Sequence, residues 1–276
     1  MTHGVHIGID PIIFHLGALE VRWYGVLMMT GVAVGTLVAS LEARRKGLDP
    51  SRVWEALLLA VPLGIVGARL FHVVDNFGFY WQHPGRIFGL QLIGLAIYGA
   101  VAGGVLGVYL YTRWTKLPFL RFLDCAAIGL PVAQFIGRFA NIINGDTWGT
   151  PTTMPWGFIY TNPNAFIPQN LLGVPTHPTP VYEQIWLLIA LGIMLAVRKR
   201  LRADGSAIML YVVLYSFGRF FISFFRENRI LFLGMREAQL LAVAAIVVFV
   251  PVIVVRERRA RRPTPLELLR IEGPLR

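Results

Sequence analysis

Apolar residues run along this 276-residue chain in seven long blocks, each close to the roughly 20 residues that carry a helix across a bilayer. The blocks cover about 24–42, 53–73, 91–112, 120–142, 181–198, 207–225 and 237–255. Two of them are interrupted by charge: Glu55 and Arg69 fall in the second, and Arg219 in the sixth. The pattern predicts an all-α integral membrane protein with about seven transmembrane helices. Most connections are short. The one from about 143 to 180 is long and rich in Pro, Asn and Thr. A structureless loop of that length is unusual, so this stretch is expected to fold as a cap or binding loop between spans four and five. No internal repeat or low-complexity segment is visible. The first 20 residues lack a basic region and a continuous apolar core, so the N-terminus is expected to stay on the mature protein. Residues 1–258 therefore read as one polytopic membrane domain, with the cap at about 143–180. Residues 259–276 read as a basic tail that holds to anionic headgroups.

Composition sharpens this picture. The chain is 55% hydrophobic and 15% charged, with mean hydropathy +0.60, whereas soluble domains carry about 25% charge. A net charge of +11 raises nucleic acid as a partner. The basic residues, however, fall in short blocks between apolar runs, which fits membrane topology and no nucleic acid. One set of connections holds Arg44, Arg45, Lys46, Arg52, Arg113, Lys116, Arg121, Arg198, Lys199, Arg200 and Arg202, and the tail adds seven arginines from Arg256 to Arg276. The opposite connections hold only Arg86, Arg226, Arg229 and Arg236. The positive-inside rule then places the N-terminus outside and the C-terminus, with its tail, in the cytoplasm. The cap becomes extracytoplasmic. The single cysteine, Cys125, excludes an internal disulfide and a cysteine-based metal cluster.

Four arginines remain in or beside the spans: Arg22, Arg69, Arg138 and Arg219. An arginine at the bilayer centre costs about 2.5–3.5 kcal/mol on insertion scales, so an intramembrane arginine is read as functional by default. The orientation puts all four in the outer half or at the outer surface, with Arg219 about 9 Å from its helix end at about 1.5 Å per residue. Arg138 and Asn141 stand three apart, and Arg219, Ser223 and Arg226 stand four and three apart, so each set shares a helix face. Guanidinium groups at that depth suit a phosphate, which they grip in a planar fork. Phosphates at that depth belong to lipid headgroups. A span-end arginine is also a common snorkelling anchor, the plainer reading for Arg22 and an equal one for Arg69. Tyr24 and Tyr98 sit at the same outer level, where interfacial tyrosine anchors are common. The small residues of "AIYGAVAGGVLG" (96–107) permit close helix packing. His72 and His177 lack a second ligand in helical register, and no metal site is expected. Asp124 beside Arg121 reads as an inner-edge ion pair.

The cluster "GRFANIINGDTWG" (137–149) resembles the signature of the prolipoprotein diacylglyceryl transferase family, with Arg138, Asn141, Asn144, Asp146 and Gly149 in its characteristic places. Two positions depart from it: Ile142 stands where Phe is usual, and Asp146 where Glu is usual. The likeness continues through "RWYG" (22–25), "GARLFHVVDN" (67–76), "AIYGAVAGG" (96–104), "HPTPVYE" (177–183) and "GRFFISFFRE" (218–227). The resemblance implies transfer of the diacylglyceryl group of phosphatidylglycerol to the lipobox cysteine of a prolipoprotein, next to its signal peptide. A thioether forms and glycerol phosphate leaves. It implies catalytic roles for Arg219, Tyr98 and Asp146. It implies phosphatidylglycerol binding by Arg138, Asn141, Tyr24, Asn144, Gly149 and Arg69. Tyr98 occupies the place of a histidine proposed as base in some members, and Asp146 reaches about one methylene less far than Glu. The implied setting is the bacterial inner membrane, with no cofactor. The rival readings are a small transporter or channel for anionic solutes, which would spread charge through the full depth, and an intramembrane serine protease, for which no Ser–His pair at matched depth is present.

Overall fold

The computed structural model describes residues 4–17, 19–88, 96–227, 230–232 and 234–260. Its helices, in chain order, are α1 (Trp23–Arg45), α2 (Ser51–Asp75), α3 (Phe77–Gln82), α4 (Ile97–Trp114), α5 (Phe119–Asn144), α6 (Thr179–Val197), α7 (Ser206–Ile222) and α8 (Glu237–Ala260). Among the described residues six are long and apolar enough to cross a membrane: α1, α2, α5, α6, α7 with the 3-10 turn that continues it to Phe225, and α8. The protein is a mostly helical, multi-pass membrane protein. The expected third span corresponds to α4, of 18 residues. The expected start of that span, 91–95, and the tail from residue 261 lie outside the described residues. Met29 and Leu58 are each 76% exposed, which is an aggregation liability in water and ordinary solvation in lipid. Prolines 62, 131 and 251 lie inside α2, α5 and α8, as membrane helices tolerate.

The chain divides into two compact units, Met1–Val38 with Ala126–Arg276, and Ala39–Cys125. In the second, α2 and α4 pack backbone to backbone. A Cβ placed on Gly103 would lie 2.1 Å from the Leu63 carbonyl oxygen, and one on Gly99 2.2 Å from that of Gly67. The small residues that the sequence offers are thus what the contact requires. Glu55, which interrupts the second apolar block, is paired here. Glu55 accepts a 2.7 Å hydrogen bond from Tyr111 and meets Arg52 at 3.1 Å. Lys46 pairs with the buried Asp124 at 3.0 Å.

In the other unit, Ala127, Ile128, Met194, Ala207 and Tyr211 form a core among α5, α6 and α7. Among the described residues six short strands accompany the helices, which an all-α expectation omits. Strand β1 (Val5–Ile7) pairs in parallel with β4 (Phe158–Tyr160), β2 (Ile12–Leu16) with β3 (Leu19–Arg22), and β5 (Ile230–Phe232) with β6 (Met235–Arg236). At two to five residues they are too short for a two-residue period to stand out. The long connection after α5 is folded, as its length suggests. Phe158, Tyr160, Ala165, Ile167 and Leu171 form its own buried core.

Candidate active site

Three helix ends meet here: the C-terminal ends of α5 and α7 and the N-terminal end of α6. Helix α5 stops because Gly145, at φ +70°, turns left-handed and returns its N–H to the Asn141 carbonyl at 2.9 Å, a conformation that glycine adopts without strain. Helix α6 begins at Thr179-Pro180, where proline's missing N–H costs nothing. The chain between them crosses the end of α7. Thr150 donates its N–H to the Phe225 carbonyl at 2.8 Å and accepts from His177 N–H at 2.9 Å. Gly149 lies at this crossing, and a Cβ there would fall 2.6 Å from the His177 carbonyl oxygen and 2.7 Å from that of Phe225.

The crossing brings three guanidinium groups onto one carboxylate. Glu183, one turn into α6, has a side chain only 6% exposed. Its Oε1 accepts from Arg219 at 2.7 Å and meets Arg226 at 3.4 Å. Its Oε2 forms an ion pair with the Arg138 guanidinium and has no hydrogen-bond partner among the described residues. The arginine side chains are themselves 15–23% exposed. Buried charges of this kind persist only when paired. Three positive groups share one negative one, so the pairing is incomplete. Nε of Arg138 is buried and has no hydrogen-bond acceptor among the described residues.

The asparagines of the sequence motif support the first of these arginines. Arg138 donates to Asn141 Oδ1 at 2.8 Å, and Asn141 Nδ2 donates to Asp146 at 2.8 Å. Asn144 donates to the other Asp146 oxygen at 3.0 Å. The shorter acid therefore reaches both asparagines. Asn144 Oδ1 lies 3.5 Å from Arg22, which also pairs with Glu20 at 2.9 Å and lies over the Phe166 ring. Arg22 is thus tied into the loop as well as standing at a span end. Tyr24, on the first turn of α1, interacts electrostatically with Asp146 and Arg138.

Beside the carboxylate, Trp186, Ile222 and Tyr215 line a small cleft with Arg219. It adjoins an apolar groove of about 390 Å³ between α6 and α7, lined by Ile185, Trp186, Ile189, Phe217, Phe221 and Ile222. His177 packs against Phe225, with Nδ1 3.1 Å from Tyr182 Oη, and burial lowers its pKa from the usual value.

Tyr98 and Arg69 belong to the Ala39–Cys125 unit. Tyr98 is 47% exposed and contacts the Phe71 ring. Arg69 donates to the carbonyls of Ile87 at 3.0 Å and Arg86 at 2.6 Å, beneath the Tyr80 ring. Arg138, Asn141, Asn144, Asp146, Gly149, Tyr24 and Arg219 fall together in the first unit. Glu183 was missed as a site residue, and Arg226 was noted only for its shared face with Arg219. An acid one turn into a span, opposite arginines without partners, is the signal that finds Glu183.

Six membrane-length helices among the described residues, with three arginines gathered on one buried carboxylate where three helix ends meet, define a multi-pass membrane protein. Comparison with known proteins gives the family. The prolipoprotein diacylglyceryl transferase family matches residues 11–255. Similar proteins include phosphatidylglycerol–prolipoprotein diacylglyceryl transferases from three bacteria. That of Clostridioides difficile strain 630 is 37% identical over 238 residues, covering 86% of this chain and 92% of the relative. That of Pediococcus pentosaceus is 33% identical over 260 residues, covering 93% and 94%. That of Listeria welshimeri is 32% identical over 268 residues, covering 97% and 96%. The chain belongs to the prolipoprotein diacylglyceryl transferase family.

Proposed function

We propose that this protein transfers the diacylglyceryl group of phosphatidylglycerol to the thiol of a lipobox cysteine in a prolipoprotein, the first step of lipoprotein maturation. The observation that carries the reading is the convergence of Arg138, Arg219 and Arg226 on the single buried carboxylate of Glu183. That arrangement has positive charge to spare for a phosphate. In the reaction, the thiol loses its proton and its sulfur attacks the terminal glyceryl carbon. A C–S bond forms, the C–O bond to phosphate breaks, and the electron pair leaves on glycerol phosphate. The departing phosphate gains charge as the bond breaks, and fixed guanidinium groups in a water-poor site stabilise that gain. A thiol with pKa near 8.5 needs modest help to ionise.

Arg138 and Arg219 grip the phosphate in this reading, with Asn141, Asn144 and Asp146 holding Arg138 in aim. Asp146 then acts through the asparagines. Gly149 lets the chain cross close to the site, and Tyr24 faces the headgroup. Tyr98 and Arg69 take roles in catalysis and lipid binding on the strength of the family motifs. The apolar groove between α6 and α7 supports lateral contact with lipid. The protein lies in the bacterial inner membrane with seven spans, the N-terminus outside. The 18-to-4 partition of loop Lys and Arg supports this orientation, and it makes the folded 143–180 segment an extracytoplasmic cap on a single membrane domain followed by a basic cytoplasmic tail.

The test is to incubate the purified protein with phosphatidylglycerol and a lipobox peptide, then read the peptide by mass spectrometry. The expected product carries one diacylglyceryl group on its cysteine, with glycerol phosphate released in equal amount. An unmodified peptide with lipid and detergent in excess would sink the proposal.

A further inference from the structure

Three guanidinium groups gathered in one poorly hydrated site repel one another, yet here they are held on one carboxylate. We propose that Glu183 is a resident counter-ion. It assembles Arg138, Arg219 and Arg226 before lipid arrives and sets the charge of the site to suit the departing phosphate rather than the incoming one. The inference rests on reading this site as the phosphate site of the transfer reaction.

Charge counting carries the inference. Counting the groups in direct ion contact, three arginines and Glu183 leave the cluster at +2, with Asp146 set behind the Asn141 amide and unchanged in every variant below. A phosphodiester brings one negative charge. A phosphate monoester brings about −1.5 to −2 at neutral pH. The lipid substrate therefore leaves the cluster under-neutralised, and only the departing monoester balances it. Stabilisation that grows as the C–O bond breaks lowers the barrier, whereas stabilisation shared equally with the ground state does not. Geometry supplies the second strand. Glu183 uses Oε1 for Arg219 and Arg226 and Oε2 for Arg138, and so spans groups carried by two different helices, α5 and α7, and the turn after α7. The buried Arg138 Nε–H has no acceptor among the described residues, so a hydrogen-bond donor remains for an incoming anion beside the ion pair with Glu183. Glu183 is a positioning residue in this account, acting on the lipid through the arginines.

The experiment uses the full-length protein in detergent and follows both turnover and the affinity for inorganic phosphate and for glycerol phosphate as inhibitors. Glu183→Gln keeps the shape and takes the cluster to +3. The two anions should then bind about tenfold tighter, the scale of one charge-assisted hydrogen bond, while kcat falls because product leaves slowly. A residue that merely supports the fold would weaken anion binding and turnover together, and that result would overturn the inference. Arg226→Gln provides a second route that does not depend on Glu183→Gln folding. It takes the cluster to +1 and should weaken both anions by a similar factor, and unchanged affinity would overturn the inference. The double variant returns to +2 and should regain the parent's anion affinity, and a failure to regain it counts against charge counting. If anion affinities follow the count but the parent modifies no lipobox peptide, the counter-ion stands and the transferase reading falls. If the peptide is modified but affinities ignore the count, the reverse holds.

Discussion

Replacing Arg138 by lysine keeps the charge and removes the fork. The Arg138 guanidinium has three directions in use or on offer: Nη1 donates to Asn141 at 2.8 Å, Nη2 meets Glu183, and Nε–H is buried and available. A lysine ammonium is a point charge on a flexible stem and takes one of these positions at a time. With phosphate bound, two of the three directions go unused, each worth about 1.5–3 kcal/mol as a charge-assisted hydrogen bond. The side chain is only 17% exposed, so solvent screens little of this. The expected loss is about 3–6 kcal/mol, or a factor of about 10² to 10⁴ at 1.36 kcal/mol per tenfold. The assay is kcat/KM for diacylglyceryl transfer to a lipobox peptide, with size-exclusion profile and thermal midpoint measured alongside to establish folding. A folded Arg138→Lys variant within about threefold of the parent would refute the idea that planar, multi-point gripping matters at this position.

Topology is checked by cysteine labelling at exposed sites on the two sides. Lys199→Cys should react with an impermeant reagent only from the cytoplasmic face, and Asn170→Cys only from outside, while the buried Cys125 stays silent. The reverse pattern would remove the depth assignment of the arginines. Tyr98→Phe should lower the rate by a similar factor, between about 2 and 150 for one lost hydrogen bond, at every pH from 6 to 9.5. A recovery confined to high pH, where the free thiol ionises unaided, would instead make Tyr98 the base. Gly103→Leu drives a side chain into the Leu63 backbone. It should lower the thermal midpoint in detergent through an overpacking cost of about 1–3 kcal/mol or more, and an unchanged midpoint would contradict the close α2–α4 contact.

The membrane-length helices were legible because their signal is long: about 20 apolar residues in a row survive an occasional Glu55 or Arg219. Helix ends also showed, since Asn144-Gly145-Asp146 marks a turn and Gly145 indeed closes α5. The strands were not legible. β1 and β4 are three residues each and pair across about 150 positions, and no local pattern carries that partnership. At the site, Arg138 and Arg219 stood out through their cost in hydrocarbon, a property of one residue. Glu183 did not, because its meaning lies in a relation between helices α5, α6 and α7. Arg22 shows the same limit. Its sequence position fits an anchor, while its contacts with Asn144 and Phe166 depend on where the chain returns.

The crossing at Gly149 has a consequence for the lipid environment. Membranes differ in hydrocarbon thickness by several ångströms, and single helices answer such mismatch by tilting. Thr150 binds the end of α7 and the approach to α6 through main-chain hydrogen bonds, close after the end of α5. These bonds make no use of side chains or lipid. The three helix ends that carry the arginines and Glu183 are therefore coupled at one point, and a thicker or thinner bilayer tilts them as a body. Peptide geometry fixes the spacing of the helix ends and Glu183 holds the arginines upon them, so the spacing offered to a phosphate stays constant as lipid composition changes.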